Sequence, residues 1–397
     1  MAYKLMKNLL NMHELSKLMV KWRRTIHQNP ETAYEEFDTA KLVVDVLQAY
    51  GVEVHRNIAE TGVVGVIKNG TSDRAIGLRA DMDALNLVEN NCFDHRSKVD
   101  GKMHGCGHDG HTAMLLGAAC YLSKNRSFDG TIYVIFQPAE EAEGGALKMM
   151  EEGLFEKFPM DAIFGMHNYP TLDSGHFSIC AGPMMSAFGS FECHIKGKGM
   201  HSSMPHLGID PIEIGIEIHR QWKSILYRLI EPIETAVISI TQFNSGSAHN
   251  VSPEIATLKG STRCFSHETA NILKTKMHDV AHQICEMHNA ECKFIYDLSY
   301  PALVNDKDYS IFAADVASSV VGEDNVNRDI APILGSEDFA CMLEKCRGAY
   351  ILIGNGSGEE GGCMVHNPNY DFNDDILDVG ASYWVKLANS FLEMRSS

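Results

Sequence analysis

Residues 105–111 read Gly-Cys-Gly-His-Asp-Gly-His, so a thiol, two imidazoles and a carboxylate stand within seven residues. Thiolate, imidazole and carboxylate are the donors that bind a borderline-soft divalent metal such as zinc. The interposed glycines let the backbone turn sharply, so that Cys106 and His108 can aim at one point. The spacing is not the Cys-x-x-Cys of a closed structural zinc site, and the chain has no such pair to complete one. The run therefore reads as half of an open, catalytic metal site.

Such a site needs elements to hold it. Apolar periodicity and stop signals place helices over 15–26, 35–50, 112–122, 146–152 and 376–394, and strands over 75–78, 131–136, 162–166 and 350–353. This alternation is the signature of an α/β fold with a largely parallel, buried sheet. The middle of the chain differs: strand 191–196, helix 211–229, strands 236–242 and 256–265, helix 268–288 and strand 291–298. The order β-α-β-β-α-β is that of a ferredoxin-like α+β unit. It is expected as an insertion over 186–301, dividing the first domain into 1–185 and 302–397.

Further donors follow the predicted strands. Asp81 and Asp83 come after the first, Glu140 and Glu141 after the second, His167 and Asn168 after the third, and His366 in the loop after the last. Ligands of open α/β sheets bind outside the carboxyl ends of the strands, so these groups are expected to converge with Cys106 and His108. Singly, each also has a plain structural use: a helix cap for Asp81 or Asp83, a solvated pair for Glu140 and Glu141, a packed ring for either histidine. Adjacent side chains diverge, so one glutamate can bind metal while the other faces an attacking water. Cys106, His108, Glu141, His167 and His366 are too many ligands for one tetrahedral ion with an open position. They suit two divalent ions sharing a bridge, roughly 3.5–4 Å apart. The thiolate favours zinc, and the other donors also suit manganese, cobalt or nickel.

The chain's 397 residues exceed one typical core and predict two domains. A net charge of −18 argues against nucleic acid or an anionic membrane as partner. Eleven cysteines show no regular spacing, no run is long enough to span a bilayer, and residues 1–10 carry a short apolar patch without a cleavage site. These features predict a cytoplasmic protein with reduced thiols.

Ordered motifs run nearly end to end: Leu78-Arg79-Ala80-Asp81-Met82-Asp83-Ala84-Leu85, Met103-His104-Gly105-Cys106-Gly107-His108-Asp109, Phe136-Gln137-Pro138-Ala139-Glu140-Glu141, Met166-His167-Asn168, Gly199-Met200-His201-Ser202, Ser336-Glu337-Asp338-Phe339 and His366-Asn367-Pro368. In these the chain resembles the aminoacylase and carboxypeptidase family of dinuclear metallopeptidases. Within it the chain resembles the amidohydrolase branch of hippurate hydrolases, N-acetyl-amino-acid deacetylases and auxin-conjugate hydrolases.

The resemblance implies that Cys106 bridges two metal ions and that His108, Glu141, His167 and His366 complete their sites. It implies Glu140 as general base and Asp83 as the carboxylate behind the ligands. Asp81 stands where relatives outside the branch carry a ligand histidine. His201 would steady the oxyanion, from the partner subunit in dimeric relatives, and Asn250 and Arg263 would hold the substrate carboxylate. The implied protein is a homodimer whose inserted domain acts as a lid over a small N-acyl amino acid, which it hydrolyses to a carboxylic acid and an amino acid. An exopeptidase acting on dipeptides, or a non-catalytic metal- or peptide-binding relative, are the other readings. Two segments depart from the branch pattern, Asn86-Leu87-Val88-Glu89 and Asn250-Val251-Ser252-Pro253; neither contains a metal ligand.

Overall fold

The computed structural model describes residues 12–141, 143–359 and 361–393; the apolar patch at 1–10 and the last residue of the expected C-terminal helix lie outside them. In chain order the main helices are α1 (Met12–Gln28), α2 (Phe37–Ala49), α3 (His108–Lys124), α4 (Pro211–Arg228), α5 (His267–Met287), α6 (Lys307–Val321) and α7 (Leu377–Phe391). The main strands are β1 (Glu53–Ile58), β2 (Gly62–Asn69), β3 (Ala75–Asp81), β4 (Gly130–Gln137), β5 (Ala162–Pro170), β6 (Phe177–Ser178), β7 (Ala187–Lys196), β8 (Ala236–Ser245), β9 (Ile255–Cys264), β10 (Glu291–Tyr300), β11 (Val326–Asn327) and β12 (Gly348–Gly356). Two compact units result. One takes the chain up to Gly182, Val304–Ala331 and the chain from Cys341 onward; the other takes Pro183–Leu303 and Pro332–Ala340.

The larger unit is built on an eight-stranded sheet of order β1-β2-β4-β3-β5-β12-β6-β11. Its centre is parallel, β4 with β3, β3 with β5 and β5 with β12. Every residue of β3 and β12 is buried. Strands covered on both faces cannot alternate apolar with polar, which is why these segments read as short apolar runs. Helix α3 packs against α1, α2 and α7 and is buried on nearly every face. Leu78, Leu116, Phe164, Met19 and Trp384 share the core that results.

Three local features differ from the sequence expectation. Helix α3 begins at His108, not at 112, because Gly107 takes a left-handed φ of 99° and lets the chain enter the helix there. His108 and His111 thus lie on a helical turn. Strand β5 runs to Pro170, so His167 and Asn168 are strand residues and do not follow the strand. The hairpin β1–β2 and helix α6 were not expected. The hairpin turns through Ala59 and Glu60, both at positive φ, without the Asn-Gly signal that marks such turns.

The smaller unit has the order β7-α4-β8-β9-α5-β10 and an antiparallel sheet β8-β9-β7-β10, the ferredoxin-like topology read from the sequence. Strand β7 alternates strictly, burying Phe191, Cys193 and Ile195. Ile214, Ile218, Trp222 and Ile225 of α4 and Leu273, Met277, Ala281 and Ile284 of α5 cover that face at helical spacing. Asp210 and Ser266 cap the two helices through their side chains, and Pro211 occupies the first position of α4. The second stretch joins this unit by backbone bonds: Ile333 N–H donates to Met184 at 3.0 Å and Ser186 N–H to Gly335 at 2.8 Å.

Gly110, in the first turn of α3, lies against the ring of Phe372; a Cβ there would come within 2.2–2.4 Å of three ring carbons. Phe372 is itself buried and cannot swing into solvent. Gly110→Ala is expected to destabilise the larger unit by about 1–3 kcal/mol through overpacking. Thermal unfolding of the variant checks this, and an unchanged melting curve would show that the ring can yield.

Candidate metal centre

Strands β3, β4 and β5 run parallel, so their carboxyl ends lie on one side of the sheet. Asp81 ends β3 and Asp83 lies just beyond it. Glu140 and Glu141 follow β4, and His167 lies near the end of β5. The first turn of α3 brings His108 and His111 to the same place.

The five expected ligands come together. Cys106 Sγ lies 3.3 Å from His167 Nε2, and His167 Nδ1 donates to the Asn168 carbonyl at 2.6 Å, which turns the Nε2 lone pair towards the thiol. His108 Nδ1 meets Asp83 Oδ1 at 3.2 Å, which aims its Nε2 towards Glu141 Oε1 at 4.0 Å. The other oxygen of Asp83 accepts the Glu141 N–H at 2.9 Å. Asp83 therefore orients the His108 imidazole and fixes the backbone that carries Glu141, the kind of support that lies behind ligands in metal sites. His366 Nε2 stands 3.0 Å from Glu141 Oε1, and its backbone N–H donates to Gly105 at 2.7 Å.

The arrangement fits a divalent cation. One atom each from Cys106, His108 and Glu141 lies within 4.8 Å of the others, and so does a second group of Asp81, His108, His111 and His167. His108 Nε2 is buried without a hydrogen-bond partner, and Glu141 Oε1, also buried, faces the His366 ring at 3.0 Å. A buried ring nitrogen left so costs about 1–3 kcal/mol, and His108 Nε2 is aimed at Glu141, beside the Cys106 thiol. Thiol, imidazole and carboxylate together make a borderline-soft donor set.

The electrostatics ask for positive charge. Burial pushes the Cys106 thiol well up, and Glu141, Glu140 and Asp81 push it further. Burial alone would lower His108, but Asp81, Asp83 and Glu141 outweigh it and raise the imidazolium to about 10. Burial and the neighbouring His111 push His167 well below the ordinary range. A cation at this point reverses that logic, since it favours thiolate and neutral imidazole together.

Sequence reasoning left two residues without a role. His111 Nδ1 bonds Asp81 Oδ1 at 2.6 Å, and its Nε2 accepts the Asn168 N–H at 2.9 Å. Asp81 also accepts from Arg79 Nη1 at 2.8 Å, so both of its oxygens are engaged behind the ligands. The signal for His111 was its spacing of three from His108, which places both on one helix face once the helix starts at His108. Glu36, read as part of an amphipathic helix, is buried and pushed up to about 7 by that burial. It accepts the Thr61 hydroxyl at 2.6 Å and the Ala139 N–H at 2.9 Å, and so pins the turn that carries Glu140.

The remaining expected residues belong to the smaller unit. His201 and Asn250 are both exposed and meet in one short ribbon, where His201 pairs with Val251 and the Asn250 carbonyl accepts the Ser202 N–H at 3.1 Å. Arg263 of β9 lies over the Phe188 ring at 4.3 Å and donates to the Ser336 hydroxyl.

Comparison with known proteins places these features in a group. The model of peptidase family M20/M25/M40 matches residues 77–390. A hippurate hydrolase of Campylobacter jejuni is 42% identical over 94% of this chain and 96% of its own. Thermostable carboxypeptidase 1 of Saccharolobus solfataricus is 37% identical over 96% and 97%. Among solved structures, the YXEP protein of Bacillus subtilis, described as a dinuclear metal binding peptidase from the M20 family, superposes with a TM-score of 0.83 at 33% identity, covering 96% of this chain and 99% of that one.

Metal uptake should depend steeply on pH. Cys106 and His108 have raised pKa values, so both stay protonated below those values and must each release a proton when a cation binds. The apparent zinc affinity of the metal-free protein is expected to rise between pH 6 and 9 by about tenfold per pH unit for each proton released, up to about a hundredfold for two. Competition titration against a chelator at several pH values checks this; a flat profile would mean that these two groups do not bind the ion.

Proposed function

The chain belongs to peptidase family M20/M25/M40 and is an amide-bond hydrolase, and we propose that it cleaves N-acyl amino acids of the hippurate or N-acetyl-amino-acid type with two divalent metal ions held by Cys106, His108, Glu141, His167 and His366. The observation that carries this reading is the meeting of donor atoms of Cys106, His108 and Glu141 within 4.8 Å of one another, with buried Glu140 immediately before Glu141 in the chain. Bound there, the cations would polarise the amide carbonyl and make the attacking water more acidic.

The protein's own groups do the rest. Glu140 takes the proton of the water as its oxygen attacks the carbonyl carbon, and then passes that proton to the leaving nitrogen. The amine leaves as a free amino acid and the acyl group as a carboxylic acid. His201 donates to the carbonyl oxygen as it gains charge. Asn250 and Arg263 hold the carboxylate of the amino-acid half. Asp83 acts as a positioning residue through His108 and the Glu141 backbone.

A cytoplasmic location is supported by eleven free cysteines, as expected of a reducing compartment. No described helix is long and apolar enough to cross a membrane. A homodimer is supported by the edge strands β8 and β10 of the smaller unit, which can pair across a two-fold axis. The 37% identity to a carboxypeptidase favours, as the second reading, an exopeptidase acting on dipeptides at the same centre.

The test is release of free amino acid from N-acetyl, N-benzoyl and longer N-acyl amino acids beside a set of dipeptides. Each is run with chelator-stripped protein and again after zinc, manganese, cobalt or nickel is restored. Metal-restored turnover on acyl amino acids is expected; turnover on dipeptides alone would favour the second reading. Glu140→Gln should keep its metal and lose about 10²–10⁴ in kcat. His201→Ala should lose about 10²–10³ with metal content unchanged. An active Glu140→Gln enzyme would remove the general-base role.

A further inference from the structure

Three cysteines that the hydrolytic centre does not use gather in the smaller unit. Cys193 lies on β7, Cys285 in the last turns of α5 and Cys292 on β10. The Sγ atoms of Cys193 and Cys292 stand 4.0 Å apart, too far for a disulfide and close enough for a thiol contact. Cys285 acts electrostatically on Cys292 as well, so Cys292 has two thiols for neighbours. The three sulfurs do not draw together on one point as a chelating trio of the described residues would. Cys193 and Cys285 are buried, whereas Cys292 is partly open to solvent.

Two imidazoles rim the same place. His278 and His282, one turn apart on α5, stack with ring centroids 4.0 Å apart. The His278 carbonyl accepts from His282 Nδ1 at 3.0 Å, which leaves Nε2 of that ring outward. The Cys193 contact, with Cys285 beside it, pushes the Cys292 thiol down against the effect of its burial, and His282 and His278 add to the shift. Cys193 and Cys285 are pushed up. A partly exposed thiol with thiolate character beside two protonated thiols is the arrangement of a reactive cysteine with resolving partners.

We infer that Cys292 is a peroxide-reactive cysteine, and that Cys285 or Cys193 resolves its oxidised form as a disulfide within the smaller unit. The Cys292 thiolate attacks one oxygen of hydrogen peroxide and the O–O bond breaks. The departing hydroxide takes a proton and leaves as water, and Cys292 carries a sulfenic acid. The neighbouring thiol sulfur then attacks the Cys292 sulfur, the S–O bond breaks, and the second water leaves with the thiol proton. Two thiols lose two electrons and two protons, and one peroxide becomes two waters. Cysteine oxidation here is separate from the hydrolytic reaction and does not rest on it.

Peptide mapping tests this on the metal-loaded full chain, reduced and then given near-stoichiometric hydrogen peroxide. A disulfide joining Cys292 to Cys285 or Cys193 is expected, formed about tenfold faster than oxidation of Cys92, the exposed cysteine. In the Cys193→Ser/Cys285→Ser variant a dimedone adduct is expected on Cys292 in place of the disulfide. Cys292→Ser should abolish the disulfide and leave hydrolysis by the reduced enzyme unchanged. Should the double variant fail to fold, either single variant must still form the disulfide with the cysteine that remains or yield the adduct. Cys92 reacting first, or Cys292 recovered as a free thiol, would overturn the inference.

Discussion

Negative charge concentrated at the carboxyl end of a buried parallel sheet is the constraint on which the larger unit depends. Asp81, Asp83 and Glu141 all act on His108, and the Cys106 thiol faces two glutamates as well. Like charges desolvated this closely would repel one another unless each were held and oriented. The surrounding residues do that work by hydrogen bonds: Arg79 and His111 on Asp81, His108 and the Glu141 amide on Asp83. What remains unpartnered, His108 Nε2, is aimed at Glu141, where a cation would answer the whole arrangement.

The same constraint explains where the backbone departs from ordinary conformations. Gly107 enters α3 at a φ of 99°, Ala139 stands at 55° just before Glu140, and His366, at 63°, carries the imidazole that meets Glu141. A left-handed conformation is costly for a residue with a side chain and persists only where the surroundings over-determine it. Each position has such a hold. A side chain on Gly107 would collide with Asn168 Oδ1, the Ala139 amide is fixed by buried Glu36, and the His366 amide by the Gly105 carbonyl. Three of the chain's positive-φ positions thus fall in the segments that aim donors into the centre.

The sequence made the candidate donors legible because their types are rare in apolar surroundings and their positions lie at or near the strand ends. Cys106, His108, Glu141, His167 and His366 all meet in the structure. The ferredoxin-like order was legible because half-buried strands and amphipathic helices carry opposite periodicities. His111 was not assigned, since a helix start at 112 left it in a loop, and only tertiary packing around Gly110 and Phe372 fixes the earlier start. Glu36 was hidden because a glutamate at the head of an amphipathic helix ordinarily faces water. The β1–β2 hairpin was hidden because Ala59 and Glu60 are poor turn residues, forced to positive φ by the pairing of the strands they join.

One residue type meets opposite fates in this chain, and the contrast shows that environment decides the chemistry of a thiol. Cys106 lies among carboxylates in a desolvated site, so its proton is held tightly until a cation competes for the sulfur. Cys292 lies on an edge strand, 4.0 Å from the Cys193 sulfur, and the neighbouring Cys285, His282 and His278 join in lowering its pKa, with no metal required. Cys120 has neither kind of partner; burial alone raises it, and it packs as a small apolar side chain in the core. A count of eleven cysteines therefore predicts little. What the fold places within about 4 Å of each sulfur decides whether it ligates, reacts or packs.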